Sequence, residues 1–321
     1  MSIKDDNIFQ DGRIPIATEV FCRLLYDASG VSRLAGLSLM VTSTTTTKPF
    51  SKKALKGLKD GLPTFFVEQD AKVRQDILAL LSHMIDRIKA TVFKLNQSIH
   101  RLQSSHSITL LEEAQNTQCV VNEHNLFMCW LPKLATDQLY PEAGYQRHIF
   151  ALKLLYILLK ADIDISVEPM SKSGLDTERQ RVSLNMFTPM LDRSLKDLLM
   201  NPFEDIRNLA ASLLESSFRK SSWHFDVVDS GMNTLIEKAE VKMLQSGRAD
   251  HADGLAHMYA IIFRHAPLSC TVLTDQNWWR SKLDILSHLV NKLERSIQLA
   301  RQNITVAITQ FPMHGLLLSI R

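Results

Sequence analysis

The sequence predicts an all-α chain, a HEAT/armadillo-like helical-repeat solenoid with no sheet. Three observations predict it. From Asp70 onward apolar residues recur at spacings of three and four, which gathers them on one face of a helix. No stretch reads convincingly as a strand, and Gly 11 with Pro 10 is too sparse for a sandwich or barrel that turns roughly every ten residues. Val73-Arg74 with Ile77, Leu80 and Leu81 parallels Ile206-Arg207 with Ala210, Leu213 and Leu214, each after an acidic residue. The two arginines lie 133 residues apart, about three units of 40–47 residues. Helix pairs of that kind bury their apolar faces only by stacking on neighbours.

Taken in order, residues 1–40 carry the weakest pattern, and Thr42 to Thr47 is a Ser/Thr-rich loop closed by Lys48-Pro49. As a helix, Ser51 to Asp60 lines Lys52, Lys56 and Lys59 along one face, opposite Ala54, Leu55, Leu58 and Leu62. Asp70 caps a long helix whose apolar positions run from Val73 and Ile77 to Ile99 and Leu102. Gln103 to Gln118 is weakly patterned and reads as a loop or frayed helix. Pro141 opens a helix with Ile149, Leu152, Leu155, Tyr156 and Leu159 on its buried side. Residues 162–180, with Pro169 and Ser173-Gly174, form the best internal linker. Thr188-Pro189 and Asn201-Pro202 mark two further starts, and Glu204 completes a capping box.

The C-terminal pattern is the most regular: Leu283, Leu286, Val290, Leu293, Ile297, Ala300, Ile304, Ala307 and Phe311 alternate by threes and fours. That narrow seam predicts a packed helix rather than an isolated coiled coil. The sequence stops inside the apolar run Leu316 to Ile320, where domains seldom end. Residues 1–321 are therefore expected to be one segment of a longer solenoid.

Chemistry is scarce. Cysteines 22, 119, 129 and 270 include no Cys-x-x-Cys, and their wide spacing reads as reduced thiols. The N-terminus shows no signal peptide, and the longest apolar run, Leu154 to Leu159, is far short of the roughly 20 residues that span a bilayer. These features predict a cytoplasmic protein without a membrane partner. Gly-x-Gly-x-x-Gly, the phosphate-loop Gly-Lys-Ser/Thr, His-Glu-x-x-His and Gly-x-Ser-x-Gly are all missing, so no cofactor, metal or catalytic residue is assigned. Asp250, His251, Asp253 and His257 form the best metal pattern, although a capped helix with solvated histidines explains them better. Trp223-His224-Phe225 and Trp278-Trp279 fit core or interface better than base stacking.

Lys+Arg 37 against Asp+Glu 34 leaves a net charge of +3, so any nucleic-acid surface must be local. Lys52, Lys53, Lys56 and Lys59 are the assigned nucleic-acid-binding residues, since a row of ammonium groups neutralises phosphates without reading sequence. A plain solvated face is the competing reading. Arg87, Lys89, Lys94 and Arg101 form a second, weaker row.

Several segments together resemble one family. They are Thr47-Lys48-Pro49-Phe50-Ser51, Asp70-Ala71-Lys72-Val73-Arg74, Tyr140-Pro141-Glu142-Ala143-Gly144-Tyr145-Gln146-Arg147-His148, Pro202 through Ser212, Gly247 through Gly254, and Phe311-Pro312-Met313-His314-Gly315. In this order they resemble the THADA family (thyroid adenoma-associated protein homologues), above all its fungal branch. The resemblance implies a very long helical-repeat protein, itself not an enzyme. It implies a scaffold or regulatory subunit that binds an FtsJ-type, S-adenosylmethionine-dependent methyltransferase, tRNA, or both. That pair 2'-O-methylates nucleotide 32 of the tRNA anticodon loop. The family's Arg-Arg-Ser-Ala-Gly-Leu-Pro motif is only echoed by Ser32-Arg33-Leu34-Ala35-Gly36-Leu37-Ser38, and no function is carried onto it. The alternative is a protein-binding HEAT-type adaptor in transport or trafficking, unrelated to RNA.

Overall fold

The computed structural model describes residues 17–43, 45–103, 108–166, 184, 186–220, 237, 240–241, 249–265 and 276–301. Every regular element among them is helical: α1 (Thr18–Leu24), α2 (Gly30–Val41), α3 (Lys52–Gly61), a 3-10 turn (Leu62–Val67), α4 (Ala71–Gln103), α5 (Ile108–Thr136), α6 (Tyr145–Ser166), α7 (Pro189–Leu198), α8 (Glu204–Lys220), α9 (Ala249–His265) and α10 (Gln276–Arg301). No described helix is long and apolar enough to cross a membrane. The chain forms two compact units, residues 1–138 with 153–186, and residues 139–152 with 187–321.

In the first unit, caps set the helix starts. Ser51 Oγ accepts the Ala54 N–H at 3.2 Å, and Asp70 Oδ1 accepts the N–H groups of Lys72 and Val73 at 2.7 and 3.1 Å. The predicted face of α4 is the buried one: Ile77, Leu81, Met84, Ile85 and Ile88 are almost wholly buried, and α4 packs against α2 and α5. α3 lies so close to α1 that a methyl group on Gly57 would collide with Cys22 Sγ. Of the loop or frayed helix expected over 103–118, the part from Ile108 is helical, and α5 packs along α4 with Ala114 and Val121 buried. Residues 162–166, inside the expected linker, belong to α6, and 167–180 lie outside the described residues.

The repeat noticed at Arg74 and Arg207 has a physical basis and a third copy. Arg33, Arg74 and Arg207 are each the fourth residue of their helix, α2, α4 and α8. Each guanidinium reaches back to the carbonyls six and five residues upstream. Arg33 Nη1 donates to Asp27 O and Ala28 O at 2.9 and 3.2 Å. Arg74 Nη1 donates to Glu68 O and Gln69 O at 3.0 and 2.6 Å, and Arg207 Nη1 to Asn201 O and Pro202 O at 2.8 and 3.1 Å. The side chain six positions before each arginine accepts the N–H two residues after itself: Asp27 from Ser29, Glu68 from Asp70, Asn201 from Phe203. Inter-helix turns leave such groups without helical partners, and the clamp satisfies them. The arginines of α2 and α4 are 41 residues apart, within the helical-repeat range. Arg33 also pairs with Glu68 at 2.6 Å, so the echoed motif around it serves packing.

The second unit begins with a turn. Pro141 sits in it rather than in a helix, and α6 starts at Tyr145 after Arg147 and His148 donate to Gly144 O. Buried His148 donates to Tyr140 O, and Tyr145 packs on Phe203 while its hydroxyl donates to Asp205. Thr188 caps α7 with Pro189 at its first position, as expected. Asn201 makes a tight turn instead of a cap, so α8 opens later, at Glu204. Leu191, Leu195, Ile206, Leu213, Leu214, Leu255 and Met258 form this unit's core. Four positions of the expected packed seam on α10 are open to solvent: Leu283, Leu286, Val290 and Ile297 are 36–58% exposed. Residues 302–321 of that seam and the apolar run lie outside the described residues.

Candidate nucleic-acid interface

Helix α3 presents the four assigned lysines as the periodicity requires. Lys52, Lys53, Lys56 and Lys59 are all exposed, while Leu55 and Leu58 are buried beneath them. Their surroundings differ. Lys52 Nζ pairs with Glu123 on α5 at 3.0 Å, and Lys53 Nζ with Glu19 on α1 at 3.2 Å. A backbone hydrogen bond, then Lys53 itself, holds the Glu19 carboxyl below its ordinary pKa. Lys59 Nζ lies 5.5 Å from the centroid of the Trp130 ring. Since Lys52 meets residue 123 and Lys59 meets residue 130, α3 and α5 run side by side in the same direction. Lys56 falls between these contacts and has no partner among the described residues.

This register brings Trp130 and the exposed Lys133 to the far end of the row. Sequence reasoning missed both, because a tryptophan and a lysine inside a weakly patterned helix carry no motif. The usable cationic surface is thus Lys56, Lys59 and Lys133 around a half-buried indole. Lys52 and Lys53 are themselves exposed and are held by a half-buried Glu123 and an exposed Glu19 in bridges worth little, which they can exchange for phosphate at small cost.

The second row does not act as one surface. Arg87 donates to Lys48 O at 3.0 Å and Val41 O at 2.8 Å, and its guanidinium lies 3.9 Å from the Phe50 ring centroid. Burial lowers the Arg87 pKa. It is therefore a fastener for the loop before α3, as is Lys94 through Thr47. Phe50 N–H donates to His124 Nε2 at 3.1 Å, and His124 Nδ1 faces Val120 O at 2.8 Å. That geometry fixes a neutral ring with its proton on Nδ1. Burial first, and Arg87 to a smaller extent, lowers the His124 pKa, against Val120 and Glu123, which raise it.

The Asp250–His257 pattern is engaged in packing. Asp253 pairs with Arg207 at 2.6 Å, His257 Nε2 lies 3.1 Å from Asn208 Oδ1, and Asp250 accepts the His251 N–H. Among the described residues no three His, Cys, Asp or Glu side chains converge as a metal site. Trp223, His224 and Phe225 lie outside the described residues.

Comparison with known proteins matches this architecture. A family model described as Trm732, TPR repeats, covers residues 3–208, more than half of the chain. A Schizosaccharomyces pombe protein described as tRNA (32-2'-O)-methyltransferase regulator trm732 is 22% identical over 318 residues, which is 99% of this chain and 20% of that protein. The chain thus spans about one fifth of that curated relative's length. No solved structure matches. With its clamped helix pairs, its absence of strands among the described residues and the family match, the chain belongs to the Trm732 family of helical-repeat proteins, in keeping with its THADA-type resemblance.

Proposed function

We propose that the chain is a non-catalytic, regulatory part of a cytoplasmic tRNA 2'-O-methyltransferase complex acting on anticodon-loop nucleotide 32. In this reading it holds tRNA and helps dock an FtsJ-type methyltransferase, which brings S-adenosylmethionine; the chain itself needs no cofactor. The observation that carries the reading is similarity along 99% of the chain to a protein described as a regulator of that modification. The lysine face of α3 adds a surface of suitable charge.

Contact with tRNA through this face is electrostatic and independent of sequence. Phosphates replace Glu19 and Glu123 at Lys53 and Lys52, and approach Lys56, Lys59 and Lys133 directly. Charge reversal of Lys52, Lys53, Lys56 and Lys59 is expected to weaken binding uniformly across tRNA species. It should also flatten the dependence of log K on log salt, by about one unit per lost phosphate contact. Lys56→Glu with Lys59→Glu should account for more of the loss than Lys52→Glu with Lys53→Glu. Unchanged affinity and slope would make the row plain solvated surface and favour the adaptor alternative.

A further inference from the structure

Helix α6 carries a second basic face, of different chemistry. Between Ile149 and Ala161 it is buried on most of its circumference, with Phe150, Ala151, Leu152, Leu154, Leu155, Leu158 and Leu159 all at 3% exposure or less. Only Lys153, Tyr156 and Lys160 are exposed in that stretch. At about 100° per residue, these three fall within a sector of roughly 60°, with the lysines about 10 Å apart along the axis. Tyr156 is 50% exposed between them. No Asp or Glu occurs between Glu142 and Asp162, and neither lysine has a partner among the described residues.

A phenol ring exposed between two ammonium groups suits one ligand class. Single-stranded nucleic acid offers unstacked bases for the ring and flanking phosphates for the cations, whereas a duplex keeps its bases stacked and offers phosphates only. On the α3 face the indole of Trp130 is half-covered and Lys59 already lies over its ring, so that ring is less open to a base than Tyr156. We propose that Lys153, Tyr156 and Lys160 form a binding stripe for an unpaired loop of RNA, with a base stacked on Tyr156 and the adjoining phosphates on the two lysines. The proposal rests on the tRNA reading above and adds to it the part of the RNA that is bound.

The test uses the whole chain with three probes: tRNA, a 12-nucleotide single strand, and an RNA duplex of equal length. Tyr156→Ala is expected to lower affinity for the single strand about tenfold, within the range for one stacked base, and to leave the duplex unchanged. Tyr156→Phe should restore binding, and Lys153→Glu with Lys160→Glu should weaken the single strand with a smaller salt slope. All three positions are exposed, so thermal midpoints should match the parent chain. If Tyr156→Ala is silent, or weakens single strand and duplex equally, the stripe is overturned. If these variants spare RNA but abolish capture of a purified FtsJ-type methyltransferase, the face is a protein interface and the proposal is likewise overturned. Should the α3 variants weaken tRNA binding while all α6 variants bind normally, only this inference fails. Should the parent chain bind no RNA at all, the tRNA reading fails with it.

Discussion

His124 can accept the Phe50 N–H only while its Nε2 is unprotonated. Its pKa is lowered in the folded chain, whereas an unfolded histidine titrates near 6.5. Below about pH 6.5 the unfolded chain therefore binds the extra proton first, so stability rises with pH through this window. The contribution is complete above pH 6.5 and fades as pH falls toward the folded value. His124→Gln should flatten the urea-midpoint profile between pH 5 and 7; an unchanged slope would show that the ring is not the titrating group. Gly254 tests packing at the same scale, since a Cβ there would collide with the Leu199 carbonyl, whereas at Gly144 it would meet nothing within 4 Å. Gly254→Ala should cost about 1–3 kcal/mol by overpacking, and Gly144→Ala should be neutral or slightly stabilising. Denaturant midpoints separate the two, and equal effects would contradict the close approach. Single residues were unevenly legible. The α3 lysines follow from an amphipathic pattern, whereas Tyr156 was placed on the buried side. In the run Leu154 to Leu159 nearly every position is apolar, so only Lys153 and Lys160, seven residues apart, reveal the solvent sector.

The arginine clamps operate at the scale of helix pairs, and they are not energetically equal. Arg207 is 8% exposed and pairs with Asp253 at 19% exposure, whereas Arg74 serves backbone carbonyls on a partly exposed turn. Removing one partner of a largely buried pair leaves an uncompensated charge, so Arg207→Leu should cost about 3–5 kcal/mol. Arg74→Leu should cost about 1–3 kcal/mol, the scale of unsatisfied carbonyls. A double-mutant cycle with Asp253→Leu measures the coupling, and independence of the two sites would remove the charge argument. Two copies of the clamp were visible in sequence because Val73 and Ile206 precede the arginine. The copy at Arg33 was hidden because Ser32 occupies that position, although Asp27, Glu68 and Asn201 keep the six-residue spacing. α5 was hidden for a related reason: Gln115, Asn116 and Gln118 dilute its apolar face, and packing on α4 supplies what local pattern does not.

For the whole molecule, a net charge of +3 means that any affinity for RNA must come from local faces rather than from the overall field. The helical-repeat class was legible from periodicity alone, since stacking units impose the same 3.6-residue pattern throughout. The exposure of Leu283, Leu286, Val290 and Ile297 on α10 was not, because a heptad pattern states that a helix can pack without stating which of its positions are covered. Chemistry follows the same division. The clamps, caps and buried histidines engage polar groups in structure, and Asp253 and His257 already have partners. The most direct measurement is methyl transfer from S-adenosylmethionine to tRNA, comparing the purified chain alone, an FtsJ-type methyltransferase alone, and the two together. A regulatory role predicts no transfer by the chain alone and increased 2'-O-methylation at nucleotide 32 when it joins the methyltransferase. Methyl transfer by the chain alone, or no gain on combining the two, would contradict it.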